Sequence, residues 1–282
     1  MKLIKPSVEI LEQGPGLQGV YDMIELCGKT SYKSEVKGGE EAKKFVDARI
    51  NEGHLAVLEF GTVYLAMPIT THYSGDVCVY MNSPNYCRVT VSSGFKFVDI
   101  FGDKVDCWCI TTNLRFIQEN GLWNDVRELL CEPTEFHVKR YCAKFTANIH
   151  VYKDLTRHRT MSFCIESTRY CNYTSEKKFG RSIKFLSPVW LKPEETEEFS
   201  EDCKTLENIY FKWIEKHGWQ PQQAAEFLCQ DTAGDVCICG FPEDWSHLFD
   251  LRYRGTTGKP HPEVLNVATM LHKEFENRGI NL

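Results

Sequence analysis

The sequence predicts an α+β fold in one domain spanning residues 1–282. Three observations carry that expectation: long segments with apolar residues at helical spacing, a few short runs of strand character, and no glycine-rich βαβ fingerprint or internal repeat. In chain order, Val20, Met23, Ile24 and Cys27 mark a first helix that Gly28 is suited to end. Ala42, Phe45, Val46 and Ile50 mark a second, closed before Gly53, which leaves His54 in a connection. Residues 57–66, 107–112 and 141–150 read as strands. From about 67 to 139 the composition turns mixed, with turn signals at Ser74-Gly75, Asn82-Ser83-Pro84 and Ser92-Ser93-Gly94 before a helical run over 114–130. That stretch reads as an insertion.

Residues 151–159 suit a short helix and the polar run 160–176 a loop. A long helix over 194–216 carries Phe199, Cys203, Leu206, Tyr210 and Trp213 on one stripe and stops at Gly218. Pro221 and Pro242 stand where first helical turns begin, and Trp245, Leu248 and Phe249 line the inner face of a helix running into Arg252. Pro262 opens the last helix, with Val264, Val267, Leu271 and Phe275 inward.

With 42% hydrophobic residues the chain can bury a sizeable core. Its 33 basic and 39 acidic side chains give a net charge of −6, and no basic stripe covers a face, so a nucleic-acid polymer is not an expected partner. No apolar run approaches the ~18 residues a membrane span needs. The first residues contain no apolar signal run, so the 13 cysteines are expected to be reduced and the protein cytoplasmic. Cys107/Cys109 and Cys237/Cys239 share strand faces at i, i+2, as small buried hydrophobes do, and no metal site is expected.

The segment from 157 to 170 reverses the local charge. Arg157, Arg159 and Arg169 stand beside His158, Ser162, Glu166, Ser167 and Tyr170. An arginine run is either a solvated patch or an anion site, and the interleaved hydroxyls and carboxylate favour the polar edge of a pyrimidine or a flavin.

Arg157-His158-Arg159, seven residues and then Ser167 resembles the Arg-His-Arg-x7-Ser signature of the flavin-dependent thymidylate synthases (ThyX), and Thr168-Arg169-Tyr170 resembles its continuation. Gly53-His54 with Glu59, Ser31 in Thr-Ser-Tyr, and Leu251-Arg252 are similar to further family segments, as is the run from Gly255 to Glu263. The resemblance implies reductive methylation of dUMP to dTMP, with 5,10-methylenetetrahydrofolate as carbon donor and NADPH as hydride source through FAD. It also implies a homotetramer with active sites shared between subunits, in which a monomer is inactive.

By the same resemblance Ser31, His54, Arg157, His158, Arg159 and Glu166 would meet the flavin. Asp154, Arg157, Glu166, Ser167, Thr168, Arg169 and Arg252 would meet dUMP, with Glu166 bridging the two ligands. Arg252 is the expected catalytic residue, because a fixed cation beside the uracil ring stabilises the anion formed as C5 gains electron density. Read without the resemblance, Arg252 would complement a helix C-terminus. Ser167 has no base beside it in sequence and is assigned to binding; Cys164, His247, His261 and His272 receive no role.

The chain departs from the family at Ala225, which stands where an arginine usually reaches a neighbouring subunit's nucleotide, with Lys259 or Arg254 as candidate substitutes. Phe241-Pro242-Glu243 replaces an Asn-x-Arg, and Ala56 and Phe60 stand where Thr or Ser and His are common. These departures keep two other readings open: an enzyme acting on another pyrimidine nucleotide, and a non-catalytic flavin- or nucleotide-binding paralogue.

Overall fold

The computed structural model describes residues 1–70, 75–94 and 104–282, with the backbone alone of 97–98. Its strands are β1 (Lys2–Ile4), β2 (Ser7–Leu11), β3 (Thr62–Pro68), β4 (Arg88–Val91), β5 (Phe97–Val98), β6 (Lys104–Val105), β7 (Cys107–Asn113), β8 (Tyr141–Asn148), β9 (Ser162–Ile165), β10 (Lys184–Leu186) and β11 (Ala233–Gly240). Its α-helices are α1 (Gly16–Gly28), α2 (Gly39–Asn51), α3 (Val77–Met81), α4 (Leu114–Asn120), α5 (Trp123–Leu129), α6 (Ile149–Leu155), α7 (Glu176–Phe179), α8 (Thr196–Glu215), α9 (Pro221–Ala224), α10 (Pro242–Phe249) and α11 (Pro262–Asn277). Short 3-10 helices occur at Lys29–Tyr32 and Leu55–Phe60, and a π-helical turn at Asp250–Arg254. The mixture of helices and antiparallel sheets is the expected α+β class.

The central sheet is antiparallel in the order β2-β8-β11-β9. Every residue of β11 is buried, because both faces of that strand are covered. Val236 and Ile238 point to one side, where they join Phe145, Trp245, Phe249, Val264, Leu271 and Phe275 under α6, α10 and α11. Fully burying each such side chain contributes roughly 1.5–3 kcal/mol. Cys237 and Cys239 point to the other side and pack with Cys142, Cys164, and Met23 and Cys27 of α1. Thiols are narrow enough to let a helix lie close against a sheet, which gives five of the cysteines a packing role.

A second antiparallel sheet, β3-β7-β4, shares one hydrophobic cluster with α1, α2, α4 and α5: Val20 and Ile24 touch the same core as Leu65, Tyr80, Ile110 and Ile117. The described part of 67–139 is therefore packed directly against the N-terminal helices; residues 71–74, 95–96 and 99–103 of that stretch lie outside the described residues. A third cluster holds Cys203 and Tyr210 of α8 against Phe185 and Tyr173.

Three expected elements differ from the structure. Leu55–Phe60 is a 3-10 helix and the strand begins only at Thr62, because Gly61 presses on α1: a Cβ there would stand 2.6 Å from Ile24 Cδ1 and Val20 Cγ1. The helical run over 114–130 is two helices, broken where Gly121 takes φ +69°. The expected loop 160–176 contains β9, whose Ser162 and Cys164 are buried against the sheet. Small polar residues disguised that strand.

Candidate functional site

Asn148, at the end of β8, caps α6 by accepting the Val151 amide at 3.0 Å. Linked turns follow α6, with Arg157, His158 and Met161 amides donating to Asp154, Leu155 and His158 carbonyls, and they feed β9. After β9 the ladder gains one more bond, Glu166 N–H to the Asp235 carbonyl at 2.8 Å. The Ser167 amide then donates to the Ser31 carbonyl at 2.9 Å, and Tyr170 and Cys171 amides close a turn on the Ser167 carbonyl. The arginine-motif loop is thus fastened on one side to β11 and on the other to the 3-10 helix after α1.

That fastening makes residues 166–168 a wall between cavities. Ser31, His54, Ser167 and Tyr170 line a cavity of about 790 Å³, while Glu166 and Thr168 line one of about 250 Å³ on the other side, with Tyr152 and Lys153 of α6. The large cavity also presents Tyr32, Phe45 and Arg49. Tyr32 and Tyr170 pair with ring centroids 5.1 Å apart, and the Arg169 guanidinium lies 5.4 Å from the Tyr170 ring. Arg49 Nε is buried there without a hydrogen-bond partner among the described residues. Aromatic walls, an unmet donor and a volume within the ~300–1,000 Å³ usual for cofactor sites fit a flavin.

Glu166 is buried, and its oxygens are committed within the chain. Oε1 accepts from the Tyr173 hydroxyl at 3.2 Å; Oε2 accepts the Asp235 amide at 3.1 Å and faces Lys33 Nζ at 3.2 Å. Lys33 also pairs closely with Asp235, which meets Lys144 Nζ at 3.1 Å and the Thr146 hydroxyl at 2.7 Å. Burial alone would pull the Lys33 ammonium down, but Glu166 and Asp235 outweigh it and hold it above its ordinary value. Burial pushes the Asp235 carboxyl up, and Lys33, Thr146 and Lys144 together bring it below its ordinary value. Nothing in the sequence pattern marks Lys33, Asp235 or Tyr173; the ion pairs and hydrogen bonds that join them to Glu166 single them out.

Asp154, Arg157, His158 and Arg252 meet on the other face of α6. Arg252 donates from Nη2 to the Asp154 carbonyl at 3.1 Å and from Nε to His158 Nε2 at 3.3 Å, and its Nη1 lies 3.5 Å from Asp154 Oδ2. Arg157 Nε is 3.9 Å from Asp154 Oδ1, with the rest of its side chain exposed. His158 is buried edge-on to His247. Burial, then the Arg252 charge and His247, push its imidazole down to about 4, so it is a neutral acceptor for the Arg252 N–H. The π-helical turn positions Arg252: one extra residue in the helix swings the side chain back toward α6.

The structure therefore divides the expected site residues among several walls. Ser31, His54 and Ser167 share the large cavity; Glu166 and Thr168 line the smaller one; Asp154, Arg157, His158 and Arg252 form one cluster. Arg159 borders a cavity of about 120 Å³ with Glu59 and Arg140, and Arg169 is exposed at the loop tip. Of the substitutes considered for the Ala225 position, Arg254 is engaged by Asp250 and the Leu282 carbonyl, and Lys259 is exposed. Among the described residues no three His, Cys, Asp or Glu side chains are grouped to hold a metal ion, and no helix is long and apolar enough to cross a membrane.

These features define an α+β protein with a cofactor-sized aromatic cavity and a smaller cavity separated by an arginine-motif loop. The family model described as thymidylate synthase complementing protein matches residues 134–278, and the chain belongs to that family. Similar solved structures include a UMP/dUMP methylase PolB from Streptomyces cacaoi bound with 5-Br dUMP, at 11% identity and a TM-score of 0.44 over 98% of this chain and 93% of that one. The same methylase bound with 5-Br UMP is similar at 12% identity and a TM-score of 0.45, over 98% and 92%. Thymidylate Synthase X (ThyX) from Helicobacter pylori with FAD and dUMP is similar at 19% identity and a TM-score of 0.36, over 48% and 66%. No curated protein matches the chain.

Proposed function

We propose that the protein is a flavin-dependent thymidylate synthase: it converts dUMP to dTMP with 5,10-methylenetetrahydrofolate as carbon donor and NADPH as reductant. FAD, when bound, supplies the two-electron carrier between NADPH and the transferred carbon. The observation that supports this reading is the wall: one tripeptide, Glu166 to Thr168, borders both the cofactor-sized cavity and its smaller neighbour, which gives two ligands room on opposite sides of a single loop.

In this reading Ser31, His54 and Ser167 border the flavin, and Tyr32 and Tyr170 offer ring faces to it. Thr168 and the Arg169 fork hold the nucleotide phosphate, the fork by charge-assisted hydrogen bonds. Glu166 acts through Lys33, Asp235 and Tyr173 as the anchor of the loop, a role in place of direct bridging. Arg252, oriented by Asp154 and neutral His158, lines neither cavity of the single chain; in this reading it supplies the cation that stabilises negative charge on a pyrimidine ring held by a second subunit of the homotetramer. Arg157 and Arg159 project outward, where a flavin held by a second subunit of a homotetramer would meet them. The protein acts in the cytoplasm.

Ala225, in place of the family arginine, favours a second reading in which the same site takes another pyrimidine nucleotide. Titration of FAD into the purified chain, followed by dUMP or UMP, tests both. Quenched flavin fluorescence that dUMP alters further supports the first reading; a response to UMP and none to dUMP supports the second; the absence of any flavin binding refutes both.

A further inference from the structure

A third cavity, of about 360 Å³, lies on the far side of the Glu166 anchor and is lined by Lys2, Lys33, Lys178 and Lys184. We propose that this lysine-lined cavity, which adjoins the smaller of the two loop-side cavities and shares Glu166, Tyr173, Ala233 and Gly234 with it, binds a phosphate-bearing anion of its own. The inference does not rest on the proposed activity.

The charges facing the cavity decide where an anion sits. At its inner end Lys33 is neutralised by Glu166 and Asp235, and Lys144, next to the cavity, also pairs with Asp235. At its outer end the balance reverses. Lys178 donates from Nζ to the Tyr32 carbonyl, a neutral acceptor that leaves its charge uncompensated. Lys2 and Lys184 are direct register partners in the parallel β1–β10 pair; both are exposed, both line the cavity, and neither forms an ion pair with a carboxylate among the described residues.

Like charges set opposite one another across a strand pair are destabilising, and the chain as a whole is acidic, so a lysine pair at this position is not general surface patterning. The folding role of these strands is met by their other residues: Phe185 and Leu186 are buried, and Leu3 packs beside Phe185 in the third hydrophobic cluster. Three uncompensated ammonium groups around one concavity attract an anion of two or more charges. Ammonium groups act as point charges with freely rotating donors, which suits the tetrahedral oxygens of a phosphate, whereas a planar carboxylate is better matched by arginine forks, and this cavity has none.

Isothermal titration of inorganic pyrophosphate into the purified full-length chain at low ionic strength tests the proposal. The expected result is one saturable site, weakened at least tenfold in Lys2→Gln/Lys184→Gln and unchanged in Lys177→Gln, a neighbouring exposed lysine outside the cavity. Matching circular-dichroism spectra and melting curves for the three proteins establish that folding is preserved. Binding that persists in saturating dUMP supports a separate site. Equal affinity in the double variant, the absence of saturable heat, one-for-one displacement of pyrophosphate by dUMP, or tighter binding of a tri-glutamate peptide than of pyrophosphate would each overturn it.

Discussion

Replacing Lys33 with Met leaves the methylene stem and removes the charge between two buried carboxylates. The side chains of Glu166 and Asp235 are 4% and 10% exposed and that of Lys33 is 26% exposed, so the pair is largely withdrawn from water. Removing one partner of such a pair costs ~3–5 kcal/mol when nothing compensates. Here Asp235 keeps Lys144 and the Thr146 hydroxyl, and Glu166 keeps the Tyr173 hydroxyl and the Asp235 amide, which lowers the expected cost to roughly 2–3 kcal/mol. Urea unfolding at pH 7, followed by far-ultraviolet circular dichroism, measures it, and adding Glu166→Gln to the Lys33→Met background should restore ~1 kcal/mol or more by removing an unpaired charge. The pH dependence has a definite sign. Lys33 lies above its ordinary value of 10.5 in the fold, so its contribution is intact below that and lost as pH rises through the folded value. Asp235 lies below its ordinary 3.8, so its contribution is intact above that and lost as pH falls through the folded value. A cost under ~0.5 kcal/mol, or no rescue by Glu166→Gln, would refute the view of Glu166 as an anchor.

Other expectations follow from the same geometry. The contribution of the His158 imidazole, pushed down from 6.5 to about 4, is intact above pH 6.5 and is lost progressively as pH falls from there through about 4; the loss is on the order of 3 kcal/mol and should be absent from the unfolding free energy of His158→Gln. In Arg252→Leu the same imidazole should titrate higher, yet below 6.5 because burial is the larger cause, as histidine-selective NMR would read. Gly61→Ala forces a methyl to 2.6 Å from Ile24 and Val20 and should destabilise by ~1–3 kcal/mol in thermal unfolding. Tyr170→Ala removes one ring of the Tyr32–Tyr170 pair and should weaken FAD binding by ~0.5–1.5 kcal/mol in a fluorescence titration, with the fold intact.

The long helices were legible because their apolar stripes are one-sided: Cys203 and Tyr210 on α8, and Val264, Val267, Leu271 and Phe275 on α11, are buried as their spacing implies. β9 was not, because a strand made of Ser162, Phe163, Cys164 and Ile165 buries its small residues beneath a helix and so inverts the usual polar-out pattern. The arginine motif was legible as a cluster but not as a geometry. Nothing in residue spacing tells that His158 turns inward onto Arg252 while its two flanking arginines stay exposed. Nor does it tell that Glu166 is tied to Lys33 and Asp235, which lie 133 and 69 positions away in the chain and meet it through the 3-10 helix after α1 and the β11 register, respectively.

In the proposed reaction the loop from Glu166 to Thr168 brings a pyrimidine and a flavin together, with Arg252 stabilising charge on the ring. Tritium release from 5-tritiated dUMP, measured with FAD, NADPH and 5,10-methylenetetrahydrofolate for the native chain and for Arg252→Lys, tests it most directly. Release should require every component and fall on the order of 10–100-fold in the variant, because a single ammonium cannot hold Asp154 and His158 while facing the ring. Release that proceeds without FAD, or at an equal rate in Arg252→Lys, would contradict it.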